Sequence, residues 1–276
     1  MDDADDAGSK TIERDQWIGP ACTHTADVVA REEPLELRIA GVPIAVVMRT
    51  PGHDLELARG FAITERIVDD PRHVIAVRHC DRVEDPDAED NVIQIFLDPQ
   101  IEVDLARLRR NVFTTSSCGV CGKASISAAM GVAPPIVSRW TIPIDTLRAM
   151  PDRLREGQAI FERTGGLHGA ALFERDGRML AVREDVGRHN AVDKLVGWAA
   201  QCIAWPPGEH VLAVSGRVSF EIVQKAVAAR IPVIVAVSAP SSLAIEFAHK
   251  SGVTLVAFVR SDRAGVYAHS DRVTAT

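Results

Sequence analysis

Two cysteines three positions apart, Cys118 and Cys121, lie in N-V-F-T-T-S-S-C-G-V-C-G-K-A (111–124), a small and polar run that suits an exposed loop better than a packed element. Three chemistries compete for the pair. Structural zinc wants four ligands, and the other cysteines, Cys22, Cys80 and Cys202, are single and scattered, so no complete metal set is visible. A zinc deaminase needs H-x-E with P-C-x-x-C, but His168-Gly169-Ala170 lacks the glutamate and Ser117 stands where proline should be. Dithiol redox chemistry places the pair at a helix start directly after a buried strand, and F-T-T-S-S does not read as that strand. In the third chemistry, one thiolate takes a sulfane sulfur as a persulfide and hands it on. A loop suits a thiol that visits two partners, and Lys123 with a helix start after it would favour the thiolate.

A second set of residues points to an anionic ligand. In open α/β sheets ligands sit beyond the carboxyl ends of strands. Three such ends are small and polar here: Ser215-Gly216-Arg217, Ser238-Ala239-Pro240-Ser241-Ser242, and Arg260-Ser261-Asp262-Arg263. Helix N-termini with free amides, together with Arg217, Arg260 and Arg263, would hold phosphate groups. Taken singly, each loop is explained by helix capping and solvated arginines. Three at one sheet edge favour a nucleotide or pyrophosphate, although neither a G-x-x-x-x-G-K-[ST] nor a G-x-G-x-x-G motif is present. The polar junction Arg183-Glu184-Asp185-Val186-Gly187-Arg188-His189-Asn190 would either touch that ligand or cap the next helix through Asp185 or Asn190. His168 is open to the same two readings.

The elements that must position these residues follow from the rhythm of the chain. With 46% hydrophobic and 25% charged residues over 276 positions, the chain is an ordinary globular one, long enough to bury a core without disulfides. Its 31 Lys plus Arg against 38 Asp plus Glu give a net charge of −7, which speaks against nucleic acid or acidic membrane as a partner. No apolar stretch is long enough to span a bilayer, and Met1–Lys10 is acidic where a signal peptide is basic then apolar, so the expected compartment is the cytoplasm. An odd cysteine count of 5 fits that compartment better than a disulfide framework.

Residues 1–30, opening with Asp2, Asp3, Asp5 and Asp6, read as a disordered acidic tail. Residues 31–140 read as a small α+β subdomain ending in a mobile Cys-x-x-Cys loop. Its strands are 35–40, 43–49, 74–79 and 92–97, and Asp54 caps a helix carrying Leu57, Ala58, Phe61 and Ala62. Residues 141–276 form the third region. A helix from 145 to 163 is interrupted at Pro151. Strands 168–174 and 178–184 then flank an Asp176-Gly177 turn. Helices 189–203, 219–230 and 241–250 alternate after that with strands 210–215, 232–237 and 253–259. Short β-branched runs between amphipathic helices predict an α/β fold with a three-layer α/β/α core over about 165–270.

Several of these runs together resemble one family. S-S-C-G-V-C-G-K-A-S (116–125), G-G-L-H-G-A-A (165–171), R-E-D-V-G-R-H-N-A-V-D-K (183–194), S-G-R-V-S-F-E (215–221), P-V-I-V-A-V-S-A-P-S-S-L-A (232–244) and F-V-R-S-D-R (258–263) are similar, in order, to the FdhD formate dehydrogenase accessory sulfurtransferases. The resemblance covers about residues 35–265. It implies a cytoplasmic homodimer with a cytidine-deaminase-like core that takes sulfur from a cysteine desulfurase. The acceptor would be bis-molybdopterin guanine dinucleotide, whose sulfuration activates formate dehydrogenase. Cys118 matches the persulfide-bearing position, with Cys121 assisting or resolving, and Phe258, Val259, Arg260, Ser261, Asp262 and Arg263 match the cofactor-binding stretch. No metal is implied. The guanine dinucleotide also carries the pyrophosphate that Ser215, Gly216, Arg217, Ser238, Ser241, Ser242 and neighbouring His189 would face. Two rivals remain: a chaperone that delivers the finished cofactor without sulfur transfer, and a dithiol redox protein.

Overall fold

In the computed structural model the described residues are 8–80, 90–101, 103–104 and 134–275. Cys118, Cys121 and the helical turn expected at 125–130 lie outside them.

The central element is a six-stranded mixed sheet. Its strands are β8 (His168–Glu174), β9 (Met179–Asp185), β10 (His210–Val214), β11 (Val233–Ala236), β12 (Thr254–Ala257) and β13 (Gly265–Ala268), in the order β13-β12-β11-β10-β8-β9. The strands β10, β11 and β12 are parallel neighbours, as their β-branched runs and intervening helices require. Because β8 runs antiparallel to both β10 and β9, the carboxyl ends of β9, β10, β11 and β12 and the start of β8 share one edge.

Helices α4 (Arg188–Cys202), α5 (Phe220–Ala228) and α6 (Ser242–Ser251) cover one face, against Leu212, Val214, Ile234, Ala236, Leu255 and Ala257. Helix α2 (Ile144–Glu156) covers the other, setting Leu147, Met150 and Leu154 against Phe173, Val211, Ala213, Val233 and Val256. The expected three layers are therefore present. Pro151, however, lies inside α2, and the break falls at Gly157-Gln158, after which α3 (Ala159–Thr164) follows. One missing N–H donor does not stop a helix whose apolar stripe is fully buried on both sides of the proline.

A four-stranded sheet in the order β4-β3-β6-β5 precedes this core, built from β3 (Glu33–Ile39), β4 (Val42–Arg49), β5 (Val74–His79) and β6 (Val92–Leu97). Helix α1 (Asp54–Thr64) packs on β5 and β6 of this sheet and on α4, so both sheets share one hydrophobic cluster. The α1–α4 crossing is backbone on backbone. A Cβ at Gly60 would lie 1.8 Å from Asp193 O, and one at Gly197 1.9 Å from Glu56 O. The residue capping α1 is His53, in a left-handed conformation (φ 59°), rather than Asp54, whose carboxylate instead pairs with buried Arg49 at 2.8 Å.

The disordered tail expected over 1–30 is corrected for residues 9–30. They form a hairpin of two ten-residue strands, β1 (Ser9–Ile18) and β2 (Ala21–Ala30), turning at Gly19-Pro20. The ten residue pairs are in register, Arg14 meets Asp27 at 2.9 Å, and Arg31 N donates to Gly8 O at 3.0 Å to close the base. A short parallel pairing of β7 (Ile142–Pro143) with β14 (Val273–Thr274) ties the C-terminus beside α2.

Candidate functional site

The loops that follow β10, β11 and β12 are laced together by backbone bonds. Val218 N donates to Ala239 O (3.0 Å), Ser241 N to Val218 O (3.0 Å), Phe258 N to Ser238 O (3.3 Å) and Val259 N to Ala236 O (3.1 Å). The structure thus brings the three strand-end segments to one edge, where ligands of such sheets bind. Arg148 of α2 donates through Nε to Ser261 O at 2.8 Å and pins the third loop from the opposite face.

The individual side chains divide into those used by the fold and those left to solvent. Val259 is fully buried in the core. Arg260 donates to Val237 O and Val259 O, each at 2.7 Å, so its guanidinium braces the loop it belongs to. The Ser241 hydroxyl accepts from Ala244 N (3.2 Å) as the cap of α6, and Ser242 is that helix's first residue. Ser215 Oγ accepts from Gly169 N at 2.9 Å, fixing the start of β8. Phe258 has φ 52° and is 46% exposed, its ring 6.5 Å from that of Tyr267. Asp262, Arg263 and Arg217 are exposed, and Ser238 is half-buried.

On the α2 side of this edge opens a cleft of about 580 Å³. Pro151, Leu154, Phe161, Leu167, Val237 and Val259 give it apolar walls, and Asp152, Arg155, Gln158, His168, Ser215, Arg260 and Ser261 contribute polar groups. Arg155 stacks on the Phe161 ring at 4.3 Å. Gln158 is only 3% exposed, and its Nε2 has no hydrogen-bond partner.

Beside the cleft lies a cationic spot. The imidazole of His168 rests on Gly216, where a Cβ would approach Nδ1 to 3.1 Å and Arg188 Cβ to 3.7 Å. Burial, with Arg188 and Arg217 nearby, holds His168 below its ordinary pKa and therefore neutral at pH 7. The buried Nε of Arg188 has no partner.

Apart from Arg188, the charged and polar side chains of 183–194 are engaged within the fold. Asp185, fully buried, pairs with Lys194 at 2.7 Å and accepts from Thr50 N (3.1 Å), Gly187 N (2.8 Å) and Asn190 Nδ2 (2.9 Å). Burial pushes the Asp185 carboxyl up, against the pull of Lys194. Glu184 accepts from Ile160 N (3.0 Å) and Phe161 N (2.7 Å), gripping the start of α3. Asp193 pairs with Lys225 at 2.9 Å and accepts from Thr64 Oγ1 at 2.6 Å. Burial raises its pKa to about 6. Neither Asp185 nor Asn190 caps α4; Gly187 holds that position. His189 sits at the start of α4 with Nε2 3.3 Å from Ser219 Oγ and 4.0 Å from Glu221 Oε2. Burial, then Lys225 and Arg188, lower its pKa to about 4, which leaves it a neutral hydrogen-bonding group between α4 and α5.

Sequence reasoning missed Arg155, Gln158 and Phe161. They belong to the α2–α3 break, which was placed at the wrong residue. Among the described residues no group of His, Cys, Asp and Glu is arranged to hold a metal ion, and no helix is long and apolar enough to cross a membrane.

The family model described as the FdhD/NarQ family matches residues 30–274. The chain belongs to the FdhD/NarQ family. Proteins named sulfur carrier protein FdhD are similar to it over about nine-tenths of the chain. That of Mycobacterium tuberculosis is 52% identical over 254 residues, covering 90% of this chain and 92% of its own length. That of Streptomyces coelicolor is 49% identical over 256 residues, covering 90% and 89%. A solved structure described as a formate dehydrogenase accessory protein from Desulfotalea psychrophila shares the fold, with a TM-score of 0.74 at 22% identity, over 97% of this chain and 100% of its own. The hairpin β1–β2, except its last residue Ala30, lies outside the segment that the FdhD/NarQ model matches.

Proposed function

We propose that this chain is a sulfur carrier in formate dehydrogenase maturation. It takes sulfur from a cysteine desulfurase as a persulfide on Cys118 and passes it to bis-molybdopterin guanine dinucleotide held at the strand-end edge. The observation that carries the reading is the identity of 52% with a named sulfur carrier over nine-tenths of the chain, joined to the motif S-S-C-G-V-C-G. The edge supports it with a cleft of about 580 Å³, exposed Arg217 and the N-termini of α5 and α6. These groups suit the pyrophosphate of the acceptor. Arg260, already engaged with two carbonyls, serves as a brace, leaving Arg263 and Arg217 as the cations that face a ligand.

In the loading step the Cys118 thiolate attacks the terminal sulfur of the donor persulfide. The donor's S–S bond breaks, its cysteine leaves as a thiolate with the electron pair, and Cys118 keeps the sulfur. In release, the Cys121 thiolate attacks Cys118 Sγ, forming a disulfide and expelling hydrosulfide toward the acceptor. A cellular dithiol then reduces the pair. The carrier acts in the cytoplasm as a homodimer.

Intact mass spectrometry after incubation with a cysteine desulfurase and cysteine tests this. The expected result is a reductant-sensitive gain of sulfur mass that is lost in Cys118→Ala and kept in Cys121→Ala. Absence of any gain, with guanine-nucleotide binding intact, would replace the carrier by a delivery chaperone. A disulfide that turns over without sulfur gain would point to a dithiol redox protein.

A further inference from the structure

We infer that His168 is the proton-binding residue of the acceptor site: a phosphate-type anion seated beside Gly216, Arg188 and Arg217 is bound together with one proton, which His168 holds. The inference rests on the acceptor edge proposed above and adds how pH regulates it.

The fold brings three basic side chains to one glycine. His168 opens β8 at the edge where β9, β10, β11 and β12 end, and it lines the cleft there. A Cβ on Gly216 would lie 3.1 Å from His168 Nδ1 and 3.7 Å from Arg188 Cβ, so the imidazole and the start of α4 both rest on bare backbone. Arg217 follows directly and is exposed. Among the described residues neither arginine is ion-paired, and the imidazole nitrogens have no hydrogen-bond partner. Two helices begin beside this spot, α4 at Arg188 and α5 at Phe220, and neither is capped by the side chain of the residue before it. The amides of their first turns add to the positive field.

Three like charges at one spot repel, and the ring is the one that gives way. Burial first, then Arg188 and more weakly Arg217, keep the imidazole neutral in the free protein against the pull of Asp185. Asp185 is a weak counterweight because Lys194 already holds it at 2.7 Å. The other charged groups around the cleft are Asp152 and Arg155 on α2 and Arg260 on the third loop. Arg155 is committed to Glu162, and Arg260 to two carbonyls. A phosphate or pyrophosphate anion beside Arg188 and Arg217 reverses the balance. It neutralises the arginines and offers the imidazole an acceptor for an N–H, so the ring takes up a proton from solvent. By linkage, the same ligand is held more tightly at lower pH.

The test is NMR titration of the full chain carrying isotope-labelled histidine, alone and saturated with GDP or inorganic pyrophosphate. The His168 signal is the one missing from His168→Gln. Its midpoint should lie below that of a free imidazole in the unliganded chain and rise by about one pH unit or more with either ligand. Between about pH 6 and pH 8, wild type should lose about tenfold more affinity for GDP than His168→Gln does. Calorimetry of the wild type with GDP near pH 7, in two buffers of different ionisation enthalpy, should show net proton uptake, and this reading needs no variant. An unchanged His168 midpoint in the saturated chain, or GDP binding without proton uptake, would overturn the inference and leave the acceptor edge in place. A chain that binds neither GDP nor pyrophosphate at any pH would overturn both.

Discussion

Replacing Gly197 by alanine puts two opposing effects in one residue. In an exposed helix the change stabilises by about 0.8–1.0 kcal/mol, because alanine gives up less backbone entropy than glycine. Here the new Cβ would fall 1.9 Å from Glu56 O and within 3.0 Å of Glu56 Cα. Restoring a normal carbon–oxygen separation moves α1 away from α4 by more than about 1 Å, a gap that forfeits a quarter to a half of the dispersion energy across the seam. That seam includes Leu57, Ala58 and Val196, buried in the cluster that joins the two sheets. Overpacking of this kind costs roughly 1–3 kcal/mol before the lost contacts are added. The expected net effect is a destabilisation of about 2 kcal/mol, read as a lower urea midpoint with an unchanged slope. Gly60→Ala should do the same against Asp193 O, at 1.8 Å. Because one separation relieves both clashes, the double variant should lose less than the sum of the singles. A Gly197→Ala protein about 1 kcal/mol more stable than wild type would show that helix propensity governs the site and that the crossing is looser than described.

Three further outcomes are open to measurement. Lys194→Met leaves Asp185 buried without its cation and should cost about 3–5 kcal/mol in chemical denaturation, whereas adding Asp185→Asn should restore at least half; equal losses in single and double variants would refute the pairing. His189, whose pKa falls from 6.5 to about 4 on folding, binds its proton more weakly folded than unfolded, so its contribution is intact above pH 6.5 and drains away as pH falls toward 4. Relative to His189→Gln, wild type should therefore lose about 3 kcal/mol between pH 7 and pH 4; parallel profiles would show a solvated imidazole. Arg217→Ala should weaken GDP about tenfold and flatten the salt dependence of binding, and an unchanged affinity would move the pyrophosphate away from that arginine.

The strands and helices of the second half were legible because each short β-branched run is bounded by polar punctuation and each helix carries an apolar stripe. Strand 168–174 and the Asp176-Gly177 turn are observed as read. The convergence of the loops at 215–217, 238–242 and 258–263 was legible too, since parallel strands must end at a common edge. Side-chain employment was not. Nothing local distinguishes Arg260, which braces two carbonyls, from Arg217, which faces solvent. The junction 183–190 is open in the sequence to a ligand contact or to helix capping, and the structure gives most of its side chains a third use, as interior partners of distant segments. Their partners Thr50 and Glu56, like Thr64 and Lys225 beside Asp193, lie far away in the chain. Gln158 was invisible for a related reason: a proline at 151 drew the helix break away from Gly157, and the cleft is made by that break.

The long reach of those partners has a consequence for how the protein is made. Thr64 and Glu65 meet Lys225 only across 161 and 160 positions, and Thr50 meets Asp185 across 135. At elongation rates of about 5–20 residues per second, the first sheet and α1 wait on the order of 10–30 s for α4 and α5 to emerge. Throughout that interval the face of α1 that carries Gly60 has no α4 to pack against. Ribosome-bound chains halted before residue 185 should therefore leave the α1 amides more open to hydrogen exchange than in the finished protein.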